Sequence, residues 1–313
     1  MSSTFNSTTT GDEVVSAFRE RVGGRIFSLT GPAPGGLGSA TLYSLAHGKP
    51  RALVLIGRNA AKLQPVVDQI KAIDSSIHVV LIDVDLSSFA SVRAGAVTLL
   101  ADDSIPHIDV HINNAAVVGP KELTVDGVET HFQVNHLSQF LFTALVLPKI
   151  LKSSEPRIVN LTARAHAQGK PDWSAWNKTP GDDFLPWVHG YTQTKLANVL
   201  FTAGLVKKYD SKGLKAFSVH PGSILTELPR NLTAEQVQQL LQAAKERGWD
   251  DRLKTIEEGV STTLVAALDP LLTPNGSYLV DCHVAEQSAH AYDEAKVNEL
   301  WQLSEQITGA KFL

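Results

Sequence analysis

The chain has 313 residues, 43% hydrophobic and 19% charged, a balance that buries a large core and excludes a disordered or fibrous chain. A net charge of −4, with no Lys/Arg-rich run, argues against a nucleic-acid partner. The single cysteine, Cys282, excludes an intrachain disulfide framework and suits a reducing, cytoplasmic compartment, and no apolar run reaches the ~18–20 residues that membrane insertion needs.

In chain order, residues 1–20 start Ser/Thr-rich and are expected to form a disordered arm, without the basic and apolar regions of a secretion signal. Residues 21–313 are read as one domain. From residue 25 onward, short β-rich runs alternate with amphipathic stretches, the pattern of βαβ units. Strands are expected at 25–30, 52–57, 78–83, 108–113, 157–161, 215–219 and 277–280. Helices are expected near 38–47, 60–72, 88–101, 123–151, 190–209, 234–247, 257–268 and 291–307. Together these elements predict an α/β, Rossmann-type, doubly wound sheet of seven parallel strands. Two irregular segments, a Trp-bearing loop at 164–189 and a lid at 223–256, emerge beyond the carboxyl ends of the strands, where ligands bind in such sheets.

The first strand runs into Thr30-Gly31-Pro32-Ala33-Pro34-Gly35-Gly36-Leu37-Gly38 and then a helix. Glycines at this turn let the backbone approach a pyrophosphate, which the amides of the helix start would bind, so Gly31, Gly35, Gly36, Leu37 and Gly38 are candidate cofactor residues. Arg58 ends the second strand, where an arginine would take the extra phosphate of NADP(H) and an acid would take the ribose of NAD(H). Asp85 and Leu86 follow the third strand and are placed at the adenine edge, with a helix-cap role as the alternative for Asp85. Tyr191 and Lys195 lie four apart and share one helix face, so an ammonium could lower the phenol pKa and make it a proton donor or acceptor. The adjacent run Asp281-Cys282-His283 is too tightly spaced for a closed metal shell, and no metal is expected.

The glycine loop, Asn113-Asn114-Ala115-Ala116, Tyr191-Thr192-Gln193-Thr194-Lys195 and Pro221-Gly222, in this order, resemble the short-chain dehydrogenase/reductase family over about residues 22–313. The stretches 129–136, 195–201 and 219–222 look closest to its retinol-dehydrogenase-like and WW-domain-oxidoreductase-like branch. The resemblance implies a nicotinamide cofactor, Tyr191 and Lys195 as catalytic residues, and Asn135 as the anchor of a water-mediated proton relay. It also implies cofactor contacts from Asn114, Lys195, Pro221, Gly222 and Thr226, sheet support from Asn113, and a homodimer as a possible assembly.

Three positions depart from the family pattern. The glycine loop is one residue longer, which leaves the middle role open between Gly35 and Gly36, and Ala116 stands where the family has glycine. More consequential, the strand-end pair of serines reads Thr162-Ala163, so the hydroxyl that would bond the substrate oxygen is absent unless Arg164, His136 or His166 replaces it. Ala163, His166 and Trp187 are the candidate substrate contacts. The leading expectation is an NADPH-dependent carbonyl reductase for an apolar or polyketide-like small molecule of secondary metabolism, with no fixed charged anchor beside the site. A redox-silent isomerase, dehydratase or cyclase, and a nucleotide-binding protein without enzymatic activity, are the alternatives.

Overall fold

The computed structural model describes residues 4–119, 122–178, 184–224, 233–246 and 252–312. Continuous apolar runs form the central strands because both of their faces are covered. These are β1 (Ile26–Thr30), β2 (Ala52–Gly57), β3 (His78–Asp83), β4 (Val110–Asn113), β5 (Arg157–Leu161), β6 (Lys215–His220) and β7 (Tyr278–Val280). They pair in parallel in the order β3-β2-β1-β4-β5-β6-β7. The order reverses between β1 and β4, the switch point above which this architecture opens a ligand crevice.

Helices cover both faces. Phe27, Leu29, Val159 and Phe217 pack against α2 (Leu37–His47), α3 (Ala60–Ile73) and α10 (Ser261–Leu268) on one side. Val54, Ile56, Ile158 and Ala216 face α4 (Phe89–Ala101), α6 (Ser138–Ile150) and α7 (Phe184–Tyr209) on the other. The last helix, α11 (Glu294–Thr308), closes this second layer through Trp301, whose ring lies 5.1 Å from Phe140 and 5.8 Å from Phe201. α8 (Ala234–Glu246) and the short α9 (Ile256–Gly259) precede α10.

Three expectations are corrected. An eighth strand, β8 (His283–Ala285), pairs antiparallel with β7, so the sheet is mixed rather than seven-stranded and parallel. The hairpin is tight because Asp281 and Cys282 both take positive φ. Residues 4–20 are not a disordered arm: Thr10 and Glu13 form a reciprocal cap on α1 (Gly11–Ala17), and Phe5, Val14, Val15 and Phe18 are buried beside α2 and α10. The buried Cys282 thiol donates to Ser261 Oγ at 3.3 Å and acts as part of that packing.

The expected long helix at 123–151 is also divided. Gly127, with φ of +72°, turns the chain so that Leu123 pairs with Glu129, and the helix starts only at α5 (Thr130–Phe132), where the Glu129 carboxylate accepts from the amides of His131 and Phe132. A π-helical turn, Gln133–Leu137, joins α5 to α6 and carries Asn135. Such wide turns re-aim one side chain relative to an ordinary helix.

Candidate active site

The glycine loop is held from below before any ligand is considered. The amide of Gly31 donates to Ile56 O at 2.8 Å, and Asn114 Nδ2 donates to Thr30 O at 2.8 Å and Gly31 O at 3.1 Å. Asn114 is therefore a fastener of the loop to the end of β4. Gly31 and Gly35 take φ of +71° and +72°, and Gly36 is the N-cap of α2. Gly35 thus provides the left-handed turn and Gly36 the cap, which resolves the ambiguity of the longer loop. A Cβ on Gly38 would sit 2.6 Å from Gly31 O and 2.7 Å from Asn114 Nδ2, whereas Gly35 faces open space. With no side chain capping α2, the first-turn amides of Leu37 and Gly38 point into the crevice, and the cradle fits a pyrophosphate.

Arg58 stands at the end of β2, 59% exposed, with its guanidinium 3.9 Å from Asp85 Oδ1. Asp85 accepts from Ser87 N at 2.9 Å and Ser87 Oγ at 2.7 Å, while Ser88 caps α4. Leu86 packs in the core beneath this edge, and its carbonyl accepts from Ser138 Oγ. Pro221 and Gly222 follow β6, and Gly222 takes φ of +102°. Thr226 lies outside the described residues.

On α7, the predicted pair is assembled. Lys195 is buried and its ammonium lies 5.5 Å from the Tyr191 ring centroid while donating to Leu161 O at 3.3 Å. Burial brings the lysine down to about 8 and pushes the tyrosine above its ordinary value. The expected lowering of the phenol is thereby corrected: desolvation raises it, and the ammonium sits beside the ring, donating to a carbonyl. Asn135 spends its amide on the loop after β4, accepting from Val117 N at 2.7 Å and donating to Val117 O at 3.0 Å and Thr194 Oγ1 at 3.3 Å. It couples that loop to the helix of Tyr191. Asn113 donates to Asn160 Oδ1 at 2.8 Å and ties β4 to β5.

Ala163 lies two residues beyond β5 in extended conformation, as the N-cap of a 3₁₀ turn, Arg164–Gln168. Thr162 is buried and donates its hydroxyl to Lys195 O at 2.7 Å, so it is turned away from any substrate oxygen at Ala163. His166 cannot replace the hydroxyl. Its Nδ1 contacts Ala163 O at 2.8 Å, and its Nε2 accepts from Ser288 N at 3.2 Å, which assigns the proton to Nδ1 and occupies both nitrogens. His136 is buried among Phe132, Phe140 and Phe201 with Nε2 2.9 Å from Ser304 Oγ, and burial pushes it down to about 3. Neither histidine serves as the replacement donor. Trp173 is buried and stacks on Phe132 at 5.8 Å, anchoring the loop; with Trp176 it walls a small crevice beside Thr194. The side chain of Trp187 lies outside the described residues.

Sequence reasoning missed a charged cavity of about 170 Å³ where β6 and β7 end. Arg164, His220 and Lys254 line it, with Asp281 ion-paired to Lys254. Only the position of Arg164 directly after Ala163 signalled it; Lys254 arrives through a parallel bridge to Ile224 that no local pattern announces.

The family model for short chain dehydrogenases matches residues 26–237. Human retinol dehydrogenase 11 is 34% identical over 288 residues, covering 91% of this chain and 86% of its own. Human dehydrogenase/reductase SDR family member 13 is 30% identical over 287 residues, with coverage of 91% and 74%. Among solved structures, an uncharacterized protein from Mycobacterium paratuberculosis superposes with a TM-score of 0.71 at 28% identity, covering 93% of this chain and 96% of its own. Carbonyl reductase from chicken fatty liver shares the fold, with a TM-score of 0.61 at 18% identity and coverage of 85% and 100%. The glycine cradle at the switch point, the Tyr191–Lys195 pair and these matches lead to one assignment: the chain belongs to the short-chain dehydrogenase family, in its retinol-dehydrogenase-like branch, and is an NAD(P)-dependent oxidoreductase.

Proposed function

We propose that the protein is an NADP(H)-dependent reductase of a ketone or aldehyde with an apolar carbon frame, able to run in reverse on the alcohol. The observation that carries this reading is the Tyr191–Lys195 pair on α7, next to the carboxyl end of β5. Arg58 supports NADP(H), because an exposed guanidinium at the end of β2 suits a phosphate monoester, whereas an acid there would suit a free ribose. When bound, the nicotinamide supplies or accepts the hydride. The glycine loop and the start of α2 would hold its pyrophosphate.

The chain's own residues supply the proton. A phenol held above its ordinary value stays protonated throughout the physiological range, so Tyr191 is a donor to a carbonyl oxygen rather than a resting base. Lys195 is charged below about pH 8 and stabilises the phenolate that the transfer leaves. With Ala163 in place of a hydroxyl, Tyr191 is the one hydroxyl aimed at that oxygen in this reading, which suits an activated carbonyl. The one cysteine, buried as a free thiol, supports a cytoplasmic placement. Among the described residues no helix is long and apolar enough to cross a membrane.

The test is nicotinamide absorbance with NADPH and a panel of aliphatic, aromatic and cyclic ketones and aldehydes, to which the names of the relatives add retinal. Absorbance loss that falls about 10²–10⁴-fold in Tyr191→Phe, with NADPH affinity retained, is the expected result. Ala163 also favours a second reading, redox-neutral chemistry in the same pocket. A product of unchanged oxidation state, formed without NADPH loss, would replace the first reading by the second.

A further inference from the structure

The cavity at the ends of β6 and β7 is built unlike the rest of the sheet. Its wall takes His220 from the last position of β6, Arg164 from the turn after β5 and Lys254 from the segment bridged to Ile224. His220 is 7% exposed and its Nδ1 has no hydrogen-bond partner among the described residues. Behind it, Ser218 and Tyr278 face each other across the β6–β7 register; Ser218 Oγ and Tyr278 Oη are likewise buried and unbonded. Orphan polar atoms cost free energy when dry, and of these three His220 lines the cavity, where a polar guest can reach its ring.

The lining sets Arg164, Arg252 and Lys254 against the one carboxylate of Asp281, which leaves it net positive. Lys254 is 7% exposed and pairs with Asp281, Arg252 pairs with Glu258 at 2.9 Å, and Arg164 lies close enough to influence both His220 and Tyr278. Burial and these cations push His220 down to about 3, so its ring is neutral and one nitrogen can donate. Ser223 adds a hydroxyl at the rim. About 170 Å³ far exceeds the ~10–15 Å³ needed for one water. The pyrophosphate cradle lies at β1, with β4 and β5 between it and β6, and Arg58 is on β2 beyond it, so the cofactor's phosphates are accommodated elsewhere. Arg164, in the cavity wall, directly follows Ala163 in the chain, the position expected beside the reacting carbonyl.

We propose that this cavity seats a carboxylate of the substrate, so that the compound turned over at Tyr191 is an oxo acid with an apolar frame, or the matching hydroxy acid in reverse. The proposal rests on the oxidoreductase reading above for its substrate role, and on the cavity alone for its acid recognition.

Two measurements separate these. In the first, without turnover, the whole protein is titrated calorimetrically with benzoate, with benzamide as neutral isostere and with inorganic phosphate. Benzoate binding about tenfold or more tighter than benzamide, weakened about tenfold in Arg164→Gln and in Lys254→Met, is expected. The His220 ring resonance, identified by its loss in His220→Asn, should move with benzoate and not with benzamide, so the wild-type protein decides the question even if a variant fails to fold. Equal binding of benzamide, or tighter binding of phosphate than of benzoate, overturns the carboxylate assignment. In the second, an oxo acid and its methyl ester are compared as substrates with NADPH. A preference for the acid of about tenfold in kcat/KM, lost in Arg164→Gln, is expected; equal use of acid and ester overturns the proposal. Selective benzoate binding with no reduction of either compound would keep the acid site and overturn the oxidoreductase reading.

Discussion

The two ends of the site treat their polar groups in opposite ways. At β1 and β4, Thr30 Oγ1 accepts from the amides of Asn114 and Ala115, Asn114 bonds the glycine loop, and Gln139 reaches Ala115 O. These polar groups are spent on holding a backbone shape. At β6 and β7, His220 Nδ1, Ser218 Oγ and Tyr278 Oη are buried without a hydrogen-bond partner among the described residues, and His220 lines the cavity with Arg164 and Lys254. The first region is a mould in which, on the proposed function, backbone amides at a helix start would meet the cofactor. The second carries its recognition on side chains and is completed only by a guest. A mould can be shared by relatives that use the same cofactor, while a set of unsatisfied side chains belongs to one substrate.

If this contrast is right, an added group should help at the open end and harm at the closed one. Ala163→Ser makes the largest expected change. The residue is extended, with φ of −148° and ψ of 160°, and begins a 3₁₀ turn, so serine fits without strain. A restored donor to the reacting oxygen should raise kcat by about 10²–10³-fold, read as NADPH consumption on the best carbonyl of the panel. A serine that leaves kcat unchanged would mean that the reacting oxygen is not at the end of β5. Gly38→Ala is the converse. Its methyl would lie 2.6 Å from Gly31 O, so overpacking should cost about 1–3 kcal/mol and weaken NADPH binding, seen as a smaller rise in unfolding temperature on adding the cofactor.

How far each region could be read from sequence follows from the same contrast. The mould was legible because its signals are local: an apolar run, then Gly31, Gly35, Gly36 and Gly38 within one turn, then a helix. Tyr191 and Lys195 were legible because helical spacing alone brings them to one face. The departure at Thr162-Ala163 was also visible, but the fate of its neighbours was not: only the fold shows that Thr162 bonds back to Lys195, and that His166 bridges Ala163 to Ser288. β8 is three residues long with two of them exposed, too short for a pattern, and α1 is a polar heptapeptide that is helical because its cap and its buried valines meet α2 and α10. The acid cavity draws Arg164, His220 and Lys254 from distant segments, so no window of sequence contains it.

A smaller effect distinguishes the cofactor's two forms. Arg58→Ala should weaken NADPH by about tenfold and leave NADH nearly unchanged, because the exposed guanidinium serves the extra phosphate and is otherwise only loosely associated with Asp85. Equal losses for both cofactors would assign Arg58 to the shape of the mould rather than to discrimination.

The mildest expected effect is a pH dependence that the mould end should show far less. Burial depresses Lys195 to about 8, so its ammonium is present below that pH and is lost as pH rises through it, well before a free lysine would titrate. Tyr191 is shifted the other way and stays protonated across this range. The limb in the reduction profile therefore belongs to the lysine: kcat for carbonyl reduction should be flat from about pH 6 to 7, fall by about half near pH 8, and decline about tenfold per further unit. NADPH affinity, set mainly by backbone amides and Arg58 with Lys195 as one further expected contact, should follow that limb much less than kcat does. Lys195→Met should lower the plateau and remove the limb. An unchanged limb in that variant would transfer the titration to another group and separate Lys195 from the proton step, leaving it a structural partner of Leu161.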